Sequence, residues 1–254
     1  MGALADQAIA TLLLTLRMVP TLAFAPPFTL VRVPAGVRVL LSIALAGWLV
    51  AGAAGATWRS DAAHDGVIVA AAGELLLGIG LALSLQFAFA ALLTVGRALD
   101  IQAGFGLAAL VDPTTRSQLP LAGTVFAYAA GAVFFLGDGP VRLLAIWAAS
   151  VQAVPLGGGM VAGDIGPALA HLSGGFVIAC ALGGAIMLAL FMVDLAIAFM
   201  SRTLPQMNVL LLGFQVKTLV MLALLPAAIA AGGTVFVRLL DAALLAAPDL
   251  VAVR

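Results

Sequence analysis

Eight apolar blocks, at about residues 8–31, 37–57, 66–95, 119–136, 141–154, 174–200, 209–231 and 235–247, take up most of the chain. The hydrophilic joints between them, around 57–65, 96–118, 155–173 and 201–208, are each too short to fold as a soluble domain. Whatever the protein does must therefore happen within or beside its apolar segments. Charged residues are 9% of the sequence and hydrophobic ones 64%, where a soluble domain carries about 25% charge. The chain is built for lipid, or for burial among other apolar chains.

Block length then sets the architecture. Crossing the hydrocarbon core takes about 20 helical residues, or about 30 Å. The second and seventh blocks fit. The third, at about 45 Å if helical throughout, is overlong, and the fifth and eighth are too short to cross. Pro20, Pro26, Pro27 and Pro34 are expected to cut the first block and its exit loop, and Pro226 sits near the end of the seventh; each removes an amide and tends to kink or stop a helix. The predicted fold is all-α, with membrane-associated helical hairpins and broken helices rather than a plain bundle. Small residues at helical spacing, such as Gly80, Ser84 and Ala88, permit close helix approach, although membrane helices are rich in such residues generally. Arg32, Arg38, Arg97 and Arg116 against Asp6 weakly favour an external N-terminus.

Several function classes are excluded or left without support. Zero net charge removes a nucleic-acid reading based on a basic face. Cys180 stands alone, so neither a disulfide frame nor a thiolate metal cluster is expected. His64 and His171 lie singly in joints and read as solvated loop residues without metal-ligand spacing. The glycines of "GFGLAA" follow a long apolar helix rather than a strand, so they are no dinucleotide loop. No nucleophile–base arrangement is visible, so neither catalysis nor a cofactor is expected. "LAFAP" at Leu22–Pro26 looks like a cleavage site, but Asp6 and Arg17 are wrong for a secretory leader, and none is expected.

Two features remain. Arg17, Glu74, Asp194 and Lys217 lie inside apolar blocks, where a charge costs about 2.5–3.5 kcal/mol unless it finds a partner or a wet path. Structural pairing between helices is favoured over an ion relay; Glu74–Lys217 and Arg17–Asp194 are conceivable pairs that sequence does not assign. The second feature is "GFGLAALVDPTTRSQLPLAG", Gly104–Gly123. Gly104 and Gly106 free the backbone from regular helix, Pro113 pushes Asp112 out of the helical region, and Pro120 closes the segment. Irregular backbone at membrane depth survives only where protein or a water-filled cavity shelters it. Physics alone leaves open a surface loop, which it favours, and an internal loop lining or blocking a passage.

The stretch "ELLLGIGLALSLQFAFAALLTVGRALDIQAGFGLAALVDP", Glu74–Pro113, resembles the signature of the FliR family, flagellar FliR and its injectisome counterparts in type III secretion. Glu74, Gly78, Gly96, Asp100, Gln102, Gly104, Asp112 and Pro113 fall on the family pattern in order. "RTLPQMNVLLLGFQVK", Arg202–Lys217, resembles its Arg-x-x-Pro-Gln-Met/Leu-Asn element and the Gly-Phe/Leu-Pro-Leu-Lys that follows. Arg97 stands where the family usually has an acid, and Gln215 where it usually has proline.

The resemblance implies a single helical subunit over residues 1–254, similar in fold to a fusion of FliP-like and FliQ-like subunits. It implies one copy of this chain in a heteromeric export gate with those two subunits and an FlhB-like one. The gate would lie at the bacterial inner membrane, with much of the chain on the periplasmic side, and pass unfolded exported proteins. It also implies that residues 104–120 plug the closed pore, with Phe105, Gly106, Leu107, Leu110, Val111, Asp112 and Pro113 in the plug. The competing class is a secondary transporter with an ion site at Glu74 and Asp194; a structural membrane anchor is a third.

Overall fold

The structure, a computed structural model, describes residues 2–31, 33–52, 66–105, 120–158, 166–203 and 209–251. Among them there is no strand, and nine helices follow the apolar blocks. They are α1 (Gly2–Phe24), α2 (Pro26–Leu30), α3 (Ala35–Gly52), α4 (Val67–Ala103), α5 (Leu121–Leu136), α6 (Gly139–Ala153), α7 (Gly166–Thr203), α8 (Val209–Ala231) and α9 (Gly233–Val251). The fold is all-α, as the block pattern predicts. Five helices are long and apolar enough to cross a membrane, and α5 with α6 forms a bent pair that passes the same test jointly. At 37 and 38 residues, α4 and α7 each run about 55 Å, close to twice the hydrocarbon core of about 30 Å.

Proline behaves differently from expectation at two positions, since neither Pro20 nor Pro226 ends its helix. Pro20 does not cut the first block; α1 runs through it, and the break comes at Ala25, after which Pro26 opens α2 from the first helical position. Loss of one amide inside a helix is tolerated where no water competes for the remaining backbone groups, and Gly78 of α4 leaves space for the ring: a Cβ there would strike both Pro20 and the Arg17 carbonyl. The exposed carbonyls at the end of α1 are then taken up by side chains. Arg38 donates to the Ala23 carbonyl at 2.6 Å, and Gln86 Nε2 donates to Phe24 O at 2.6 Å, serving groups that a helix end leaves orphaned; Arg38 also donates to the Val33 carbonyl just before α3, at 2.9 Å.

The chain forms two compact units. One comprises 1–88, 134–173 and 240–254; the other comprises 89–133 and 174–239. The first is cored by Leu13, Leu14 and Met18 of α1, Leu77 and Leu81 of α4, and Trp147 of α6, with Phe28 edge-on to Phe134 and Phe135. The second is cored by Phe89, Leu92 and Leu99 of α4, Phe126 of α5, Ile186 and Leu190 of α7, and Phe236 of α9. The unit boundaries fall inside helices, so the hydrophilic joints of the sequence do not mark them.

Candidate functional site

Three polar constellations link these helices, two of them buried and one partly exposed. The first is built on Arg17, which is fully buried, as is Glu74. Arg17 Nε donates to Glu74 Oε2 at 2.5 Å, and one terminal nitrogen donates to Glu74 Oε1 and the Val154 carbonyl, both at 3.0 Å. The other donates to the carbonyl and the hydroxyl of Ser150 at 2.8 and 3.2 Å. A guanidinium has five N–H donors, and all five are engaged. Glu74 Oε1 also accepts the Gly157 amide at 2.9 Å. Glycine at position 78, one turn beyond Glu74, lets α4 lie against the α1 backbone beside Arg17; the i, i+4 spacing puts both residues on one face. Ser150, Val154 and Gly157 carried no sequence signal, since their contribution is mostly backbone.

The second is at the C-terminal end of α4. Gly104 has φ +95, a conformation glycine adopts at little cost. Its amide donates to the Ile101 carbonyl at 3.1 Å and the Phe105 amide to the Asp100 carbonyl at 2.9 Å, the paired bonds of a Schellman stop. Asp100 is buried, and its Oδ1 accepts the Ala122 amide of α5 at 3.2 Å. A Cβ on Gly96 would collide with the Gly123 backbone, so α4 and α5 touch there main chain to main chain. Gln102 Nε2 donates to the Met187 carbonyl of α7 at 3.1 Å. Of the predicted plug residues, Phe105 is half-buried at this stem. Gly106, Leu107, Leu110, Val111, Asp112 and Pro113 lie outside the described residues.

The third joins Lys217 of α8 to Asp194 of α7 in an ion pair, with side chains 22% and 40% exposed. The internal charges therefore pair as Arg17–Glu74 and Asp194–Lys217. The combinations conceivable from sequence, Glu74–Lys217 and Arg17–Asp194, are not the ones formed, because pairing is set by which helix faces cross and not by block order.

His171 corrects a further expectation. It is not a solvated loop residue: α7 begins at Gly166, and the imidazole is buried with Nε2 2.8 Å from the Ser84 carbonyl, beside Phe87. Pro167, in the first turn of α7, suits a helix start inside an otherwise hydrophilic joint. His64 lies outside the described residues. Among the described residues no three His, Cys, Asp or Glu side chains gather as metal ligands, and Cys180 is a free, exposed thiol. Arg97 and Gln215, the two departures from the family pattern, are both exposed on their helices. Among the described residues neither side chain is part of a buried core.

These bonds tie α1 to α4 and α6, α4 to α5 and α7, and α7 to α8. Residues 8–243 match the family described as bacterial export proteins, family 1. The chain is similar to the flagellar biosynthetic protein FliR of Escherichia coli (strain K12), 28% identical over 156 residues, which are 61% of this chain and 59% of that one. It is also similar to the protein of that name in Bacillus subtilis (strain 168), 34% identical over 152 residues, 57% of each chain. A third similarity is to the FliR of Pectobacterium carotovorum subsp. carotovorum, 27% identical over 144 residues, 56% of this chain and 55% of that one. The matched stretch thus spans less than two thirds of each relative's length. With a match that runs through nearly every helix described above, the chain belongs to the bacterial export proteins of family 1, the FliR family.

Proposed function

We propose that this chain is a non-catalytic subunit of a type III secretion export gate, flagellar or injectisome, and forms part of a pore that passes unfolded proteins across the bacterial inner membrane. The observation that carries the reading is the family match over residues 8–243, joined to a fold of apolar helices with five of spanning length. In this reading one copy assembles with FliP-like and FliQ-like subunits beside an FlhB-like one, its fold is kin to a fusion of the first two, and much of it sits on the periplasmic side. Residues 104–120 help close the pore, with Phe105, Leu107, Leu110 and Val111 at the constriction, since an apolar constriction blocks ions by dewetting.

The transporter alternative asks Glu74 and Asp194 to serve a common ion. Each carboxylate is instead committed to its own cation, Glu74 to Arg17 and Asp194 to Lys217, which favours the gate. The test is the conductance of the purified complex in a planar bilayer, with and without residues 106–116. The expected result is an assembled but ion-leaky complex in the shortened variant. Equal conductance would end the closing role, and a chain that purifies alone and carries a small solute would end the gate reading itself.

A further inference from the structure

We infer that Asp100 is a positioning residue that holds both ends of the segment between α4 and α5, its main chain at one end and its side chain at the other. What the segment does rests on the reading above; how its ends are held does not.

The inference starts from two glycines. At Gly96 and Gly123 the two helices meet backbone to backbone, because neither residue has a side chain to keep them apart. Asp100 is one turn beyond Gly96 on the same face of α4, so its short carboxylate reaches the first turn of α5. There it meets a helix start in need of an acceptor. The residue preceding α5 is Pro120, whose ring offers no oxygen to the free amides that a serine or aspartate would serve in that place. Asp100 Oδ1 supplies the acceptor from the neighbouring helix, at 3.2 Å from the Ala122 nitrogen. A carboxylate also suits the positive end of the helix dipole. None of the ion pairs formed among the described residues involves Asp100, so this helix end is the partner its buried charge has there.

The other end of the segment returns to the same residue. The Phe105 amide donates to the Asp100 carbonyl at 2.9 Å, and glycine at 104 permits the turn that brings it there. The chain therefore leaves α4 and enters α5 bonded to one amino acid. Ordinary helix capping would need only the Schellman bonds at one end and a local cap at the other; a shared anchor fixes the ends relative to each other.

The test separates the side-chain bond from the rest. Spin labels at positions 105 and 121, in a Cys180→Ala background, report the distance across the stems in the protein extracted with the chains that accompany it. Asp100→Asn keeps Oδ1 as an acceptor and should leave the distance distribution as narrow as in the parent. Asp100→Ala removes the acceptor, and the distribution should broaden at least twofold, because the bond from Phe105 to the residue-100 carbonyl survives while the α5 end is released. If the alanine variant does not assemble, Asp100→Ser replaces it: a serine hydroxyl can bond within its own helix and stops short of α5. An unchanged distribution in Asp100→Ala, or in Asp100→Ser where that takes its place, overturns the inference. Failure of both to assemble, with Asp100→Asn intact, also overturns it, in favour of a role in folding alone. Planar-bilayer conductance of the same samples keeps the two readings apart. A broadened distribution with a several-fold leak supports both, whereas a broadened distribution without a leak supports the anchor and removes the closing role of the segment.

Discussion

At the scale of single residues the decisive fact is that Arg17 has no donor to spare. Its five bonds reach Glu74, Ser150 and Val154, tying α1 to α4 and to the end of α6. A proton relay needs a group that changes partners; a guanidinium held by a carboxylate and two backbone carbonyls does not. Glu74→Gln keeps the shape but strands a buried positive charge, and removing one member of such a pair costs about 3–5 kcal/mol. The expected outcome is a marked fall in Tm and in recovered complex, read by thermal unfolding of the purified sample; a wild-type Tm would refute the structural role. The double variant Arg17→Met/Glu74→Leu removes both charges and should recover part of that loss, since apolar replacement of a whole pair is often tolerated. Recovery should stay incomplete because the Ser150 and Val154 carbonyls and the Gly157 amide lose their partners, at about 1–3 kcal/mol per buried group. Secretion should follow stability in this series. A relay predicts instead a stable double variant without transport.

Among the helices, hydropathy made the blocks legible and left the joints ambiguous. The blocks became helices, the first of them two, because a helix satisfies its backbone groups within its own segment, yet α4 and α7 overrun their blocks into residues that read as joints. Arg97 and Asp100 extend α4 to Ala103, and the stop was legible one residue later, in Gly104, as glycine just past a helix end. The start of α7 at Gly166-Pro167 had the corresponding proline signal, and missing it made His171 look like a loop residue. The partner choice of Arg17, Glu74, Asp194 and Lys217 was not legible, because it depends on crossings between helices far apart in sequence. The family pattern held more than its resemblance showed: Gly78, Gly96, Asp100 and Gly104 each have a local physical reason, two as close crossings, one as a cap and one as a turn. Gly104→Ala tests the last. At φ +95 a Cβ is strained, at about 1–3 kcal/mol, and it would also press on the Phe214 ring at 2.6 Å. Gly104→Ala should lower Tm, and adding Phe214→Ala should restore only the part due to the ring. Full restoration would show that the backbone turn carries no cost.

For the whole molecule the question is what covers the helices this chain leaves bare. Only 11% of the spanning windows of α3 and α8 is buried, against 56% for α4. Apolar exposure alone decides nothing, because lipid satisfies leucine as well as a neighbouring helix does. The pair Asp194–Lys217 does decide something. Its side chains keep 40% and 22% of their exposure on helices of spanning length, and each charge facing lipid would cost about 2.5–3.5 kcal/mol. Protein or water must therefore meet that face, which agrees with a subunit of a larger gate. Exchanging the charges, Asp194→Lys with Lys217→Asp, separates the inner contact from the outer one. The pair within the chain is re-formed with its polarity reversed, so the chain itself should keep near-parental Tm. A neighbouring chain that presents polar groups to this face meets the wrong sign, and like-signed juxtaposition across an interface costs several kcal/mol. The expected result is a folded chain that retains few of its accompanying subunits on affinity purification, with Asp194→Asn giving a smaller loss of the same kind. If the exchanged variant brings down its full complement, the pair serves only this chain, and water or its own helices cover the face.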